Sequence, residues 1–206
     1  MTIDVSTIYL VDAATDQAVE AQLRDAIEQT QLDDWDNLWQ PELNRLLLQL
    51  INANVPRSRW PQSSHWNWPT KMARIHGLLK FRGFSVVAQG VTQGLMQIDL
   101  NASARDSGQA GKALIYVDYL EVAPWNRPDF GNKQRLFGVG SALLSAAVRF
   151  SQNEGFKGRI GLHSLPQADG FYRKVGMIDL GPDPQTQNLN YFEMTAEQAQ
   201  AFLGEE

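Results

Sequence analysis

The chain has 206 residues, 43% hydrophobic and 20% charged, with 18 basic and 23 acidic side chains giving a net charge of −5. That length suits one domain burying roughly 70% of its unfolded surface without covalent staples. The absence of cysteine excludes disulfides, thiolate metal sites and a cysteine acyl-enzyme, and the acidic balance without a basic cluster argues against nucleic-acid binding.

Residues 7–13 (TIYLVDA) read as a first strand. Val19, Leu23, Ala26 and Ile27 give residues 18–31 helical spacing. Pro41 suits the first turn of a second helix, with Leu43, Leu46, Leu47, Leu50 and Ile51 as its apolar stripe and Pro56 as its end. Residues 55–70, with Pro56, Pro61, Pro69, Trp60, Trp66 and Trp68, read as a long ordered loop. Gly83–Gln89 and Gly94–Leu100 form two strands of a hairpin around Gly90, Asn101–Gly111 a polar loop, and Ala113–Val122 a central strand. Residues 138–152 form the clearest helix, lined by Val139, Leu143, Ala147, Val148 and Phe150 and stopped by Gly155. A strand over Arg159–Leu165, a short helix over Ala168–Val175 and strands over Met177–Leu180 and Tyr191–Met194 complete the chain. The order βααβββαβαββ predicts the α/β class, a mixed sheet with flanking helices.

The opening Met-Thr-Ile-Asp-Val has no basic region or apolar core of a secretory signal. The longest uncharged stretch, Gly83–Ile98, is broken by Gly90 and Gly94 and is no membrane span. A cytoplasmic protein without a membrane partner is expected. His65 and His76 are too far apart in sequence to argue a metal site, and three histidines without cysteine predict no structural zinc.

Chemistry concentrates where a strand leads through a glycine-bearing turn into a helix. Unpaired amides of a first helical turn attract anions, and glycine lets phosphate approach the backbone. Arg135-Leu136-Phe137-Gly138-Val139-Gly140 occupies such a start. Alone it also fits a tight turn with close helix packing. Yet it matches the pattern Arg/Gln-x-x-Gly-x-Gly/Ala, follows Tyr119-Leu120-Glu121-Val122-Ala123-Pro124, and precedes Ala168-Asp169-Gly170-Phe171-Tyr172-Arg173-Lys174-Val175-Gly176-Met177. In that order the three segments resemble the GNAT acetyltransferases, whose helix-turn pattern is A-x-x-F-Y-x-K-x-G-F. The resemblance is specific over residues 83–180, and the element order extends it to residues 1–206 as a single GNAT domain, elaborated over residues 31–80.

The resemblance implies an acyl-CoA N-acyltransferase fold whose fourth and fifth strands run parallel and splay to admit the pantetheine arm of acetyl-CoA. Backbone groups of Leu120, Glu121 and Val122 would hold that arm. Arg135 and the amides of Phe137, Gly138, Val139, Gly140 and Ser141 would hold the pyrophosphate. Tyr172 would protonate the leaving thiolate, or pack beside the cofactor. The base for the amine would be Asp118 first or Glu121 second, either of which also reads as a structurally satisfied acid. The implied reaction is direct attack by a primary amine of a small molecule, peptide or protein on acetyl-CoA. A second copy of the chain is an allowed partner. The alternatives are a non-catalytic acyl-CoA-binding or sensor module and a modifier of aminoacyl-tRNA.

The chain departs from the family pattern by an insertion, residues 123–134, containing Trp125, Arg127, Pro128 and Phe130, and by Met177 in place of a phenylalanine. Arg135 fits the basic position better than Arg127 by its spacing to Gly138 and Gly140. His163 and Ser164 read either as a polar pair at the acceptor mouth or as a satisfied strand end. Trp35, Trp39, Trp60, Trp66 and Trp68 either cover the sheet or line a pocket.

Overall fold

The structure, a computed structural model, describes residues 3–127 and 134–204. Among the described residues, nine strands hydrogen-bond in the order β6-β1-β2-β3-β4-β5-β7-β9-β8, and six α-helices accompany them. The strands are β1 (Val5–Asp12), β2 (Ala18–Arg24), β3 (Phe81–Ala88), β4 (Val91–Ser103), β5 (Ala113–Val122), β6 (Leu136–Phe137), β7 (Ile160–Ser164), β8 (Ile178–Asp183) and β9 (Leu189–Met194). The helices are α1 (Gln29–Asp34), α2 (Gln40–Asn52), α3 (Trp68–Ile75), α4 (Val139–Asn153), α5 (Asp169–Lys174) and α6 (Ala196–Gly204). The mixed α/β class is as expected. The chain divides into two units, and β3, β4, β5 and α4 contribute residues to both.

The first unit comprises Met1–Leu78, Gly83–Leu95 and Glu121–Ala142. Its β1 and β2 form an antiparallel hairpin, which corrects the helix expected over residues 18–31. Val19 and Leu23 are four apart, a spacing that serves a helix turn or two strand periods. Leu23 is half-buried and Ala21 between them is 2% exposed, so the period is two. Asp12 closes the turn by accepting the amides of Ala14 and Thr15, both at 2.9 Å.

Helix begins instead at Gln29, where Glu28 and Gln31 form a reciprocal capping box. The run continues through a π-turn at Trp35–Trp39 into α2, with the Gln40 amide reaching back to the Trp35 carbonyl. The turn falls where Pro41, lacking an N–H, could not donate an α-helical bond. Trp35 and Trp39 are both buried. Trp39 Nε1 donates to the Thr92 carbonyl at 3.0 Å, and Asp34 accepts the Thr92 amide and hydroxyl, which ties the run to the start of β4. On α2 the expected stripe holds for Leu43, Leu46, Leu47 and Leu50, whereas Ile51 is exposed. The Trp-rich stretch contains two short 3₁₀ turns and then α3, capped by the Asn67 side chain on the Thr70 amide at 2.7 Å. The β3–β4 turn is as anticipated: Gln89 and Gly90 have φ of 53° and 75°, a pair of left-handed residues suited to a two-residue hairpin.

The second unit comprises Leu79–Arg82, Met96–Leu120 and Leu143–Glu206. Its β5 and β7 run parallel, paired at Ile115↔Ile160 and Tyr116↔Gly161. Beyond Gly161, β7 pairs with β9 through His163↔Tyr191 and Ser164↔Asn190. Leu143, Leu144, Ala147 and Val148 bury the apolar face of α4, while Phe150 is only half-buried. Helix α6, absent from the expected order, starts at Thr195, whose hydroxyl accepts the Gln198 amide at 3.2 Å. A Cβ on Gly158 would stand 2.7 Å from the Ala199 Cβ, so glycine lets α6 pack closely there.

Candidate functional site

In the first unit the end of β5 leads to the insertion and then to α4. Gln93 Oε1 accepts Trp125 Nε1 at 2.9 Å and Asn126 Nδ2 at 2.8 Å. Asn126 Oδ1 in turn accepts the Leu136 amide at 2.9 Å, and the Gln134 side chain donates to the Asn126 carbonyl at 2.8 Å. The two ends of the insertion are therefore bolted together. Pro128 and Phe130 lie outside the described residues. Nothing in the sequence marks Gln93 or Asn126; Trp125-Asn126 facing the buried Gln93 is a pairing that only the fold assembles.

The glycine turn follows. Leu136 and Phe137 form the short β6 against β1, pairing Val11↔Phe137 and Asp12↔Leu136. Gly138 then takes φ +92°, a conformation that L-residues rarely adopt. A Cβ there would meet Leu10 Cδ2 at 3.6 Å, an ordinary contact, so it is backbone conformation that demands glycine. The Gly138 carbonyl accepts the Ala142 amide at 2.9 Å, which opens α4. The amides of Val139, Gly140 and Ser141 therefore belong to a first turn with no acceptor inside the helix. Val139 is 2% exposed and anchors the turn, while Gly138 itself is exposed.

Arg135 is exposed and its guanidinium stacks 5.3 Å over the Trp125 ring. It borders a cavity of about 870 Å³ that Asp12, Asn37, Glu42 and Arg45 also line. Arg127 is engaged differently, donating to Ser63 Oγ at 2.7 Å and standing 3.9 Å from Glu121.

Glu121 is 8% exposed, and Trp68 Nε1 donates to its Oε2 at 2.6 Å. Burial pushes its carboxyl above the ordinary range, against the opposing pull of Trp68, Arg127, Ser63 and Trp35. This residue thus fixes the aromatic stretch to the end of β5. Trp35, Trp39 and Trp68 are core residues. Trp60 is half-buried with its Nε1 on the Val55 carbonyl, and Lys71 lies 4.9 Å over Trp66.

In the second unit, Tyr116, Asp118 and Leu120 are all half-buried, as alternate positions on one strand face would be. Asp118 Oδ2 accepts Gln97 Nε2 at 3.1 Å. Tyr172 on α5 is 7% exposed, its ring 5.2 Å from Phe171 and 5.7 Å from Phe192. Burial, helped by nearby Asp169, raises its phenol pKa, so the hydroxyl keeps its proton at neutral pH.

His163 Nδ1 lies 2.6 Å from the Tyr116 hydroxyl, and His163 Nε2 lies 2.9 Å from Asp183 Oδ2. Arg105 Nη1 donates to the same Asp183 oxygen at 2.6 Å, and the Gln185 amide donates to the other at 2.9 Å. Burial lowers the His163 pKa, while Arg105, the Gln185 amide and His163 together hold Asp183 well below the usual carboxylate range. Nothing in the sequence marks Arg105 or Asp183. Among the described residues no cluster of metal-ligating side chains occurs, and no helix is long and apolar enough to cross a membrane.

No family model matches the chain, and no curated protein matches it by sequence. Solved structures do. An acetyltransferase of the GNAT family from Listeria monocytogenes matches with TM-score 0.54 and 12% identity, covering 92% of this chain and 99% of its own. The PaiA N-acetyltransferase of Thermoplasma acidophilum, in complex with coenzyme A, matches with TM-score 0.50 and 12% identity, covering 95% and 99%. A bacterial toxin matches with TM-score 0.50 and 13% identity, covering 100% and 98%. With β5 and β7 parallel and a glycine turn opening α4, the chain has the GNAT acetyltransferase fold.

Proposed function

We propose that this protein transfers an acetyl group from acetyl-CoA to a primary amine by direct attack in a ternary complex. The observation that carries the reading is the helix start at Gly138, where a glycine-only backbone angle opens α4 with three first-turn amides unpaired within the helix. Those amides and the helix dipole suit the CoA pyrophosphate, with Arg135 at the entrance. Backbone groups of Leu120, Glu121 and Val122 take the pantetheine arm, and the carboxylate of Glu121 keeps that strand end in place through Trp68.

The amine nitrogen attacks the thioester carbonyl carbon, a C–N bond forms, and the C–S bond breaks with its electron pair going to sulfur. Tyr172, which holds its proton at neutral pH, is the donor to that sulfur. Asp118 is the carboxylate that receives the incoming ammonium. Without cysteine, no cysteinyl acyl-enzyme competes with direct transfer.

Calorimetry with CoA tests the site, and release of free CoA from acetyl-CoA with a panel of primary amines tests the activity. The panel includes small amines, polyamines, N-terminal peptides and an aminoacyl-tRNA, the last because one structural neighbour is a toxin. CoA binding without amine-dependent CoA release identifies a non-catalytic acyl-CoA-binding module.

A further inference from the structure

We propose that Tyr116, His163 and Asp183 form a proton relay that takes the proton from the acceptor ammonium, Tyr116 touching the amine and the other two acting behind it. This rests on the acetyl-transfer reading above.

The directions of the hydrogen bonds follow from the donors available. Asp183 is a carboxylate that already accepts Arg105 Nη1 and the Gln185 amide, so it can only accept from His163 Nε2. Nε2 therefore carries hydrogen, and in a neutral ring Nδ1 is the acceptor. The Tyr116 hydroxyl, 2.6 Å away, must donate to it. Its proton is committed to the imidazole, and its oxygen lone pairs are left to accept from something else. Tyr116 is half-buried, and the His163 and Asp183 side chains are 6% and 9% exposed. Both imidazole nitrogens are engaged, so the Tyr116 oxygen is the member of the chain with lone pairs to offer.

Position in the strands points the same way. Tyr116 and Gly161 are the last parallel pair of β5 and β7, and His163 stands two residues further along β7, paired to β9. The Tyr116–His163 bond therefore spans the place where the two strands cease to pair. Gly161 leaves room there: a Cβ would stand 2.5 Å from the Tyr191 hydroxyl.

Every element around the imidazole contributes a defined group. Tyr116 comes from β5, Asp183 from β8, and the Tyr191 ring from β9 at 4.8 Å. Arg105, from the segment after β4, reaches Asp183 and stacks 4.1 Å over Tyr191. Its amide donates to Glu193, which also accepts from Asp106 and Gln109. Asp118 and Tyr119 lie near Tyr116 on β5. Burial lowers the basicity of His163 and pushes the Tyr116 phenol up to about 12, so the resting relay is a neutral imidazole and a neutral phenol.

The transfer balances. One ammonium N–H bond breaks and its proton goes to Tyr116 Oη, as the Tyr116 proton passes to His163 Nδ1. The imidazolium is stabilised by the Asp183 carboxylate and later loses its proton to water. The freed nitrogen lone pair forms the C–N bond, and the second N–H proton balances the one placed on the departing thiolate. Each turnover makes one amide and one thiol and returns one proton to solvent.

The test uses the full chain, acetyl-CoA, and n-propylamine, glycinamide and aminoacetonitrile as primary amines of falling basicity. In the wild type with n-propylamine, kcat/KM falls on acidification only below the ordinary imidazole range, because burial holds the His163 pKa down. Tyr116→Phe keeps CoA affinity and lowers kcat about 10²-fold for n-propylamine near pH 7. Its rate rises with pH as free amine accumulates, and its deficit shrinks towards aminoacetonitrile, which is already neutral. A purely structural tyrosine would not sort acceptors by basicity. Wild-type turnover with an undiminished Tyr116→Phe overturns the relay and leaves acetyl transfer standing. No CoA release by the wild type with any amine overturns both. Should Tyr116→Phe not fold, His163→Gln decides: an undiminished kcat with n-propylamine overturns the relay, and a deficit that shrinks towards aminoacetonitrile supports it.

Discussion

Trp68 Nε1 donates to Glu121 Oε2 at 2.6 Å, joining the first residue of α3 to the end of β5 across 53 residues of sequence. The tryptophan is fully buried, and the carboxylate it caps is buried with it. A segment that the sequence leaves open between covering the sheet and lining a pocket is, at this residue, core.

Replacing Trp68 by alanine removes a large buried ring and strips a donor from a buried carboxylate. A loss of about 3–5 kcal/mol is expected from the ring, with more from Glu121, which keeps Ser63, Trp35 and Arg127 but loses its Trp68 donor. Chemical denaturation checks it; a urea midpoint equal to wild type would show the ring is dispensable. Trp66 is half-buried under Lys71, so Trp66→Ala folds and stays close to wild type in stability.

Gly138→Ala forces a Cβ into a backbone at φ +92°. Strain of about 1–3 kcal/mol is expected, relieved by distorting the start of α4. CoA affinity should therefore fall even though the added methyl has room. Gly140→Asp adds bulk and a like charge at the proposed pyrophosphate site, and should weaken CoA binding more severely. Calorimetry on both folded variants is the check, and unchanged affinity in both would move the pyrophosphate elsewhere.

Tyr172→Phe leaves the ring packed on Phe171 and Phe192 and removes only the hydroxyl. A fall in kcat of about 10²-fold with unaltered CoA affinity is expected. Wild-type kcat in this variant, measured with the amine that the wild type prefers, would return Tyr172 to packing.

Two groups of the relay couple stability to pH in the same direction. The folded pKa of His163 is lowered, so its contribution is present above the unfolded value near 6.5 and is lost as pH falls through the folded one. The folded pKa of Asp183 is lowered from 3.8, so its contribution is present above that value and lost further down. Urea midpoints should decline in two stages on acidification. Asp183→Asn should flatten the lower stage, and a parallel decline in both proteins would refute the assignment.

The elements read best from sequence were those with one unambiguous period. Ala113–Val122 matches β5 residue for residue, because its run of β-branched and aromatic side chains fits no helix face. The Gly90 hairpin and the α4 start were legible because glycine marks a backbone angle. By contrast β2 was read as helix because Val19 and Leu23 satisfy both periods. Helix α6 had its signal in Thr195 and Gln198, a capping pair that precedes only a short and weakly apolar helix. The relay was not legible. His163 stood out, but Asp183 is 20 residues away and Arg105 lies 78 residues from Asp183. Nothing local marks partners that meet only when β5, β7 and β8 assemble.

The central claim is acetyl transfer to an amine, and its most direct test is amine-dependent release of CoA thiol from acetyl-CoA by the wild-type chain, with the product identified by mass. The account predicts release that saturates with at least one primary amine and yields an acetylated amine in equal amount. Tight CoA binding with no amine-dependent thiol release would contradict it.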